Sequence, residues 1–295
     1  MCCHYFIESR GDSMKIGIIG SGRVGFSIGK YLVENNITVV GYYDTILKNA
    51  VEAADFTNTD SFSSIEELVK LSDTLFITTP DEHISQVWDY IKELSIKNKI
   101  ICHFSGSLSS VVFSQIEQTY ASCCSIHPML AFSDKFSSYK QLYDTFFTIE
   151  GQDIAVDLIM ELFLSLGNSM QKIDRINKAK YHAAASILSN HVIAVLETGY
   201  ELLQECGFTK EESIKATSQL VRENVENVIA RGSVEALTGP IERGDVLTVE
   251  KHLEKLSEED KLMYQILGMK LVALAKEKHI DRDYSSIEKT LEVNK

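Results

Sequence analysis

The chain has 295 residues, 44% of them hydrophobic and 24% charged, the make-up of a globular protein with room for one large domain or two ordinary ones. Its formal net charge is −13 and no basic stripe interrupts that excess, which argues against nucleic acid or an anionic membrane surface as partner. No run of about 18 apolar residues is present, so no membrane span is expected.

Residues 1–13 lack the apolar core of a signal peptide and read as a poorly ordered tail ahead of a start at Met14. The six cysteines form no regular framework, which suits reduced thiols in a cytoplasm. No metal site is expected: Cys2-Cys3-His4 offers too few ligands, and His103, His127 and His182 are scattered.

The next stretch carries the strongest signal. An apolar run (Ile16, Ile18, Ile19) ends in Gly20-Ser21-Gly22-Arg23-Val24-Gly25. A helical segment follows, then a second apolar run from Ile37 to Tyr43, closed by Asp44. In a strand–turn–helix context the three glycines allow a tight turn, close approach of a pyrophosphate, and close helix packing. The free N–H groups of the helix N-terminus then face the phosphates. Asp44, 19 positions after Gly25, is placed to bond ribose hydroxyls and to repel a 2′-phosphate, which leans to NAD. Its alternative is a plain turn cap.

Strands and helices keep alternating after Asp44. Helices are expected over 46–55, from a Ser63/Glu66 capping box to about Lys70, and from Asp81 to about Leu94. Strands are expected at Leu75–Thr78, Ile100–Phe104, Ser122–Ile126, Phe146–Ile149 and Met170–Ile173. Further helices fall near 109–119 and 153–166. This is the pattern of an α/β, doubly wound, mostly parallel sheet over residues 14–175. From 176 to 295 the chain reads as all-α. One long helix runs from Asn177 to Cys206, apolar almost all round between Ala183 and Leu196 and so expected to be the core of its domain. Thr209/Glu212 and Ser257/Asp260 cap later helices, and a 237–245 loop lies between them. The three prolines, Pro80, Pro128 and Pro240, all fall in loops expected beside a ligand.

Reduction of a carbonyl needs a proton donor at oxygen and a grip on the rest of the substrate. Lys178, His182, Ser186 and Asn190, at i, i+4, i+8 and i+12, form one stripe along the long helix. They either satisfy one another inside the domain or face a wet cleft. Arg243 offers a fork for a carboxylate, its alternative being an ion pair with Asp245 or Glu242. Thr78, Thr79 and Pro80, with His103, Ser105 and Gly106, sit at strand ends where the cofactor should lie, and His127 follows the next strand.

GSGRVG, ICHFSGSLSS, SIHPMLAF, FTIEG, KAKYHAAASILSNH and LTGPIERGD, in that order, resemble a two-domain family. Its members join a Rossmann-like domain to a helical domain of unknown function. The family is similar in architecture to ketopantoate reductases, pyrroline-5-carboxylate reductases and β-hydroxyacid dehydrogenases. The resemblance implies an NAD(P)H-dependent oxidoreductase acting on a small 2-oxo acid, with 2-dehydropantoate as lead substrate. In conventional ketopantoate reductases a helix-borne Lys donates the proton, which Lys178 matches. The Asn expected four residues on is His182 here, so either residue could donate. Asn190 would orient the substrate, Arg243 would hold its carboxylate, and His127, Ser186 and Asp245 would line its site. Asp44 departs from the basic pocket of the NADPH-using relatives. Two alternatives stay open: an imine reductase of the pyrroline-5-carboxylate kind, and a non-catalytic NAD(P) sensor or scaffold. A homodimer through the helical domain is expected, because an apolar helix short of partners finds them in a second copy.

Overall fold

Short apolar runs separated by amphipathic segments build an eight-stranded sheet in the computed structural model, which describes residues 14–293. In chain order the first unit contains β1 (Ile16–Ile19), α1 (Arg23–Glu34), β2 (Val39–Tyr43), α2 (Leu47–Thr57), β3 (Asp60–Phe62), α3 (Ile65–Leu71) and β4 (Thr74–Ile77). It continues with α4 (Asp81–Ile91), β5 (Ile100–His103), β6 (Ser122–Pro128), β7 (Phe147–Gly151), α5 (Asp153–Ser165), β8 (Met170–Lys172) and α6 (Lys178–Ser186). The strand order is β3-β2-β1-β4-β5-β6-β7-β8, parallel throughout except for the antiparallel β6/β7 pair. Strand order reverses beside β1, which leaves a crevice at the carboxyl ends of β1 and β4.

Period-two alternation decides which face each side chain joins. Ile16, Ile18, Phe76, Cys102, Cys124 and Ile126 pack on one side with Phe26, Tyr31 and Phe163. Ile19, Leu75, Ile77, Ile101 and Cys123 pack on the other with Leu68, Ile84 and Trp88. Both faces are covered, as a parallel sheet requires.

Several boundaries differ from the sequence reading. Ser64, not Ser63, caps α3, its hydroxyl accepting from the Glu67 N–H at 3.4 Å. Asp81 lies in the first turn of α4, and Pro80 stands at the cap. The helix expected near 109–119 is two 3₁₀ turns, Ser110–Val112 and Ile116–Thr119, because Gln115 and Tyr120 adopt φ of 61° and 58° and interrupt it. β6 does not stop before His127-Pro128 but contains both, with Pro128 at the strand's last position. The short strand β3 carries no apolar run and was not expected.

The two compact units divide between Leu188 and Ser189, later than the expected 175/176 border. The reason is local: α6 begins with Lys178, whose side chain is buried against β6. The helix that starts with α6 passes through a π turn, Ile187–His191, before α7 (Val192–Glu205). A π turn takes an extra residue, so the spacing that would align Asn190 with Lys178, His182 and Ser186 is broken. Beyond it come α8 (Lys210–Arg231), α9 (Ser233–Ala236), α10 (Pro240–Arg243), α11 (Val246–Leu253), α12 (Glu258–Lys278) and α13 (Ser285–Leu291). The Thr209/Glu212 capping box is present on α8, and Ser257 caps α12.

The core of the second unit is not the long apolar helix. It is Ile241, Val249, Leu253, Val272, Tyr284, Ile287 and Leu291, from α10 to α13. Leu188 and Ile193 are instead 74% and 66% exposed. No helix among the described residues is long and apolar enough to cross a membrane. The tail expected over residues 1–13 lies outside the described residues.

Helix α1 approaches the sheet through Gly25. A Cβ there would stand 2.2 Å from the Gly20 carbonyl oxygen and 2.7 Å from Thr78 Oγ1. Gly25→Ala is therefore expected to cost about 1–3 kcal/mol by overpacking, read as a lowered midpoint in chemical denaturation.

Candidate active site

The turn between β1 and α1 bounds a cleft of about 730 Å³. Gly20 has φ of +101°, a conformation that strains any residue with a Cβ. Thr78 Oγ1 donates to the Gly20 carbonyl at 2.6 Å, tying the end of β4 to the turn. Gly22 caps α1 with extended backbone, no side chain caps the helix, and its first turn holds no acidic residue. The space where a Gly22 Cβ would stand is open to 4 Å. Ser21 Oγ and Thr79 Oγ1 are buried without hydrogen-bond partners, and both residues line the cleft. Buried hydroxyls are normally satisfied. Open space at a helix N-terminus flanked by two unspent hydroxyls fits an anionic diphosphate.

Asp44 closes the same cleft. Its Oδ2 accepts from the Ser21 N–H at 2.8 Å, and its Oδ1 accepts from the Ile46 N–H at 2.9 Å. The carboxylate is thus both a turn cap and fixed in aim, with lone pairs left over for ribose hydroxyls. Pro80, Tyr43 and Asn49 complete this wall. Of the other residues read from the glycine turn, Arg23 is exposed, Val24 packs toward the core and Gly25 is buried; none lines the cleft.

Asp81, next to Pro80, leads to a second cluster. Its Oδ2 accepts from Ser105 Oγ at 2.7 Å and Ser107 Oγ at 2.6 Å. Gly106 between them abuts two imidazoles: a Cβ there would meet His127 Nε2 and His182 Nδ1 at 2.7 Å each. His127 Nδ1 shares a hydrogen bond with Tyr181 Oη at 2.6 Å. Lys178 is 2% exposed, and its Nζ donates to Ser125 Oγ at 2.8 Å.

Burial sets the charges here. It lowers the Lys178 ammonium to about 8, while Glu150, Cys124 and Asp81 pull it back up. Burial, helped by the Lys178 charge, lowers both His103 and His127 to about 4. Both imidazoles are therefore neutral near pH 7, and Lys178 is the cation of the cluster. A buried amine titrating near neutrality suits a general acid.

Lys178, His127, His182, Ser105 and Gly106 come together as neighbours, and Ser186 lies at the end of α6. Asn190, Arg243 and Asp245 belong to the second unit. Asn190 sits in the π turn and accepts from Ser189 Oγ at 3.2 Å. Asp245 caps α11, accepting from the Thr248 N–H and hydroxyl. Among the described residues neither ion pair considered for Arg243 forms: Glu242 pairs with His279 and Arg282, and Asp245 accepts from Thr248. Sequence reasoning missed Asp81, Ser107, Ser125, Glu150 and Tyr181. Ser125 and Glu150 carried a readable signal, each being a polar residue next to buried apolar ones within a strand of the sheet. Among the described residues no group of three or more His, Cys, Asp or Glu is arranged to hold a metal.

The neutral histidines have a consequence for stability. Unfolded histidine binds a proton near 6.5, whereas His103 and His127 bind one only near 4 in the folded chain. Between those values the unfolded state holds more protons, so stability is full above pH 6.5 and is lost as pH falls toward 4. His103→Gln is expected to flatten that loss in urea denaturation series at stepped pH.

Two family models match the chain. Residues 15–103 match NADP oxidoreductase coenzyme F420-dependent, and residues 145–271 match a domain of unknown function (DUF2520). The second match begins beside β7, ahead of the division between the compact units. No curated protein matches in sequence. Among solved structures, protein TM1727 from Thermotoga maritima is 21% identical, with 89% of this chain and 99% of that one covered and a TM-score of 0.69. The NADH-preferring ketol-acid reductoisomerase of an uncultured archaean is 15% identical, covering 94% and 82%, with a TM-score of 0.64. The pyrroline carboxylate reductase of Plasmodium falciparum, solved with NADP bound, is 16% identical, covering 95% and 99%, with a TM-score of 0.58. At such identities these structures show a shared fold. The chain thus joins a Rossmann-like domain of the NADP-oxidoreductase type to the helical domain of unknown function, the two-part family that its ordered motifs resemble.

Proposed function

We propose that this chain is an NAD(P)H-dependent reductase of a small acid, with Lys178 giving the proton that accompanies hydride transfer. The observation that carries this reading is a lysine 2% exposed, lowered to about 8, in the unit that also holds a dinucleotide cradle. In the cleft, the α1 N-terminus, Ser21 and Thr79 hold the diphosphate and Asp44 the adenosine ribose. A reduced nicotinamide bound there supplies the hydride. Asp44 favours NAD; the relatives include one solved with NADP bound and one that prefers NADH, so both coenzymes belong in the test.

A 2-oxo acid, 2-dehydropantoate first, is the lead substrate, since reduction of its carbonyl creates an alkoxide for Lys178 to protonate. The cyclic imine of the pyrroline-carboxylate kind is the second reading, supported by the likeness to the Plasmodium enzyme. His182, exposed on the same turn of α6, is the second donor in this scheme. His127 and Ser186 are substrate contacts in this scheme. The free thiols fit a cytoplasmic setting. The bare apolar side chains of the second unit, Ile193, Leu220 and Ile229 among them, fit a homodimer.

Titration with NADH and NADPH, followed by assay on both substrates, tests the reading. Gly22→Ala, which meets open space, is expected to keep the fold and lose nucleotide affinity. Lys178→Met is expected to lower kcat at least about 100-fold, and the wild-type reduction rate to fall above pH 8 as the ammonium deprotonates. Binding of neither nucleotide, or full activity without Lys178, overturns it. Sedimentation is expected to give a dimer that Ile193→Glu dissociates; a wild-type monomer removes that part.

A further inference from the structure

Parallel pairing sets His103 of β5 opposite Ser125 of β6, and antiparallel pairing sets Ser125 opposite Glu150 of β7. Directly opposed residues point to the same face of a sheet. Three polar side chains therefore form one row across the sheet, 0%, 0% and 1% exposed. The row lies on the face that carries Ile77, Ile101 and Cys123. Lys178 sits on its middle member through the bond to Ser125 Oγ.

Glu150 accepts from Ser110 N–H at 2.6 Å and from Ser110 Oγ at 2.7 Å. Those bonds satisfy both oxygens but bring no charge. Among the described residues neither Glu150 nor Lys178 makes an ion pair within 4 Å. An isolated buried charge is costly unless another compensates it. Here a carboxylate and an ammonium are both buried on one face of the sheet, the ammonium bonded to the serine that stands directly opposite the glutamate.

We propose that Glu150 is the buried counter-charge of Lys178, acting across Ser125, and so a positioning residue that keeps the lysine charged for proton donation. The catalytic half of this statement rests on the reductase reading; the charge pairing does not. The titratable groups near Lys178 are Glu150 from β7, Asp81 from α4, Cys124 and His127 from β6, His103 from β5 and Tyr181 from its own helix. The two histidines are neutral near pH 7, and Tyr181 presents its ring at 5.8 Å. Of the two carboxylates, Asp81 is exposed and screened by water, whereas Glu150 is not.

The test follows the Lys178 ammonium resonance in lysine-¹⁵N-labelled full-length protein across pH. Glu150→Gln is expected to lower its midpoint by about one pH unit, as loss of a nearby opposite charge does. Glu150→Asp, which keeps the charge, is expected to leave it near the wild-type value. In parallel, denaturation of wild type, E150Q, K178M and E150Q/K178M reads the coupling directly. The double variant is expected to be more stable than the sum of its singles allows, and to fold even if E150Q alone does not. A midpoint unmoved by E150Q, an equal shift in E150D, an additive double variant, or a double variant that fails to fold overturns the proposal. Coupling without turnover sinks only the reductase reading; turnover without coupling sinks only this one.

Discussion

Removing a lysine ammonium from water is among the more expensive things a fold can do, and the architecture of the first unit is arranged around one. Lys178 enters α6 after the sheet is complete and puts its Nζ onto Ser125, in the middle of the face shared with Trp88 and Ile101. That placement holds α6 to the first unit and moves the border between the two units to Leu188. It also adds to the charge state of its surroundings, because burial, helped by this fixed cation, keeps His103 and His127 neutral.

The nucleotide cradle is built from a different constraint, the backbone. Gly20 turns through a left-handed conformation, Thr78 fastens that turn to β4, and Gly25 lets α1 press against both. What remains is space in front of Gly22 and two hydroxyls with nothing to bond. Asp81 links cradle and cluster, since it follows Pro80 in the chain and receives the hydroxyls of Ser105 and Ser107. The second unit answers to neither constraint. Its core lies in α10–α13, and α7 buries no side chain within the chain.

Much of this was legible in residue order. The glycine turn with Asp44 behind it gives the cradle almost residue by residue, since Gly20, Ser21, Gly22, Asp44, Thr78, Thr79 and Pro80 all line the cleft. Those positions depend on local backbone geometry, which spacing encodes. Less legible were Ser125 and Glu150, which become partners only through the register of β5, β6 and β7. The apolar helix misled for a related reason: hydrophobicity says that a surface must be covered, not what covers it. The π turn that carries Asn190 off the Lys178 stripe has no residue signature of its own.

Alternating apolar runs and a glycine-rich turn were enough to determine a doubly wound nucleotide-binding half followed by helices, because those features are set by contacts close in sequence. Which carboxylate faces Lys178, which histidines stay neutral, and where one unit ends were decided only by tertiary structure. Those outcomes depend on burial and on strand register, which bring together residues 22 to 53 positions apart whose charges affect one another strongly only once water has been excluded.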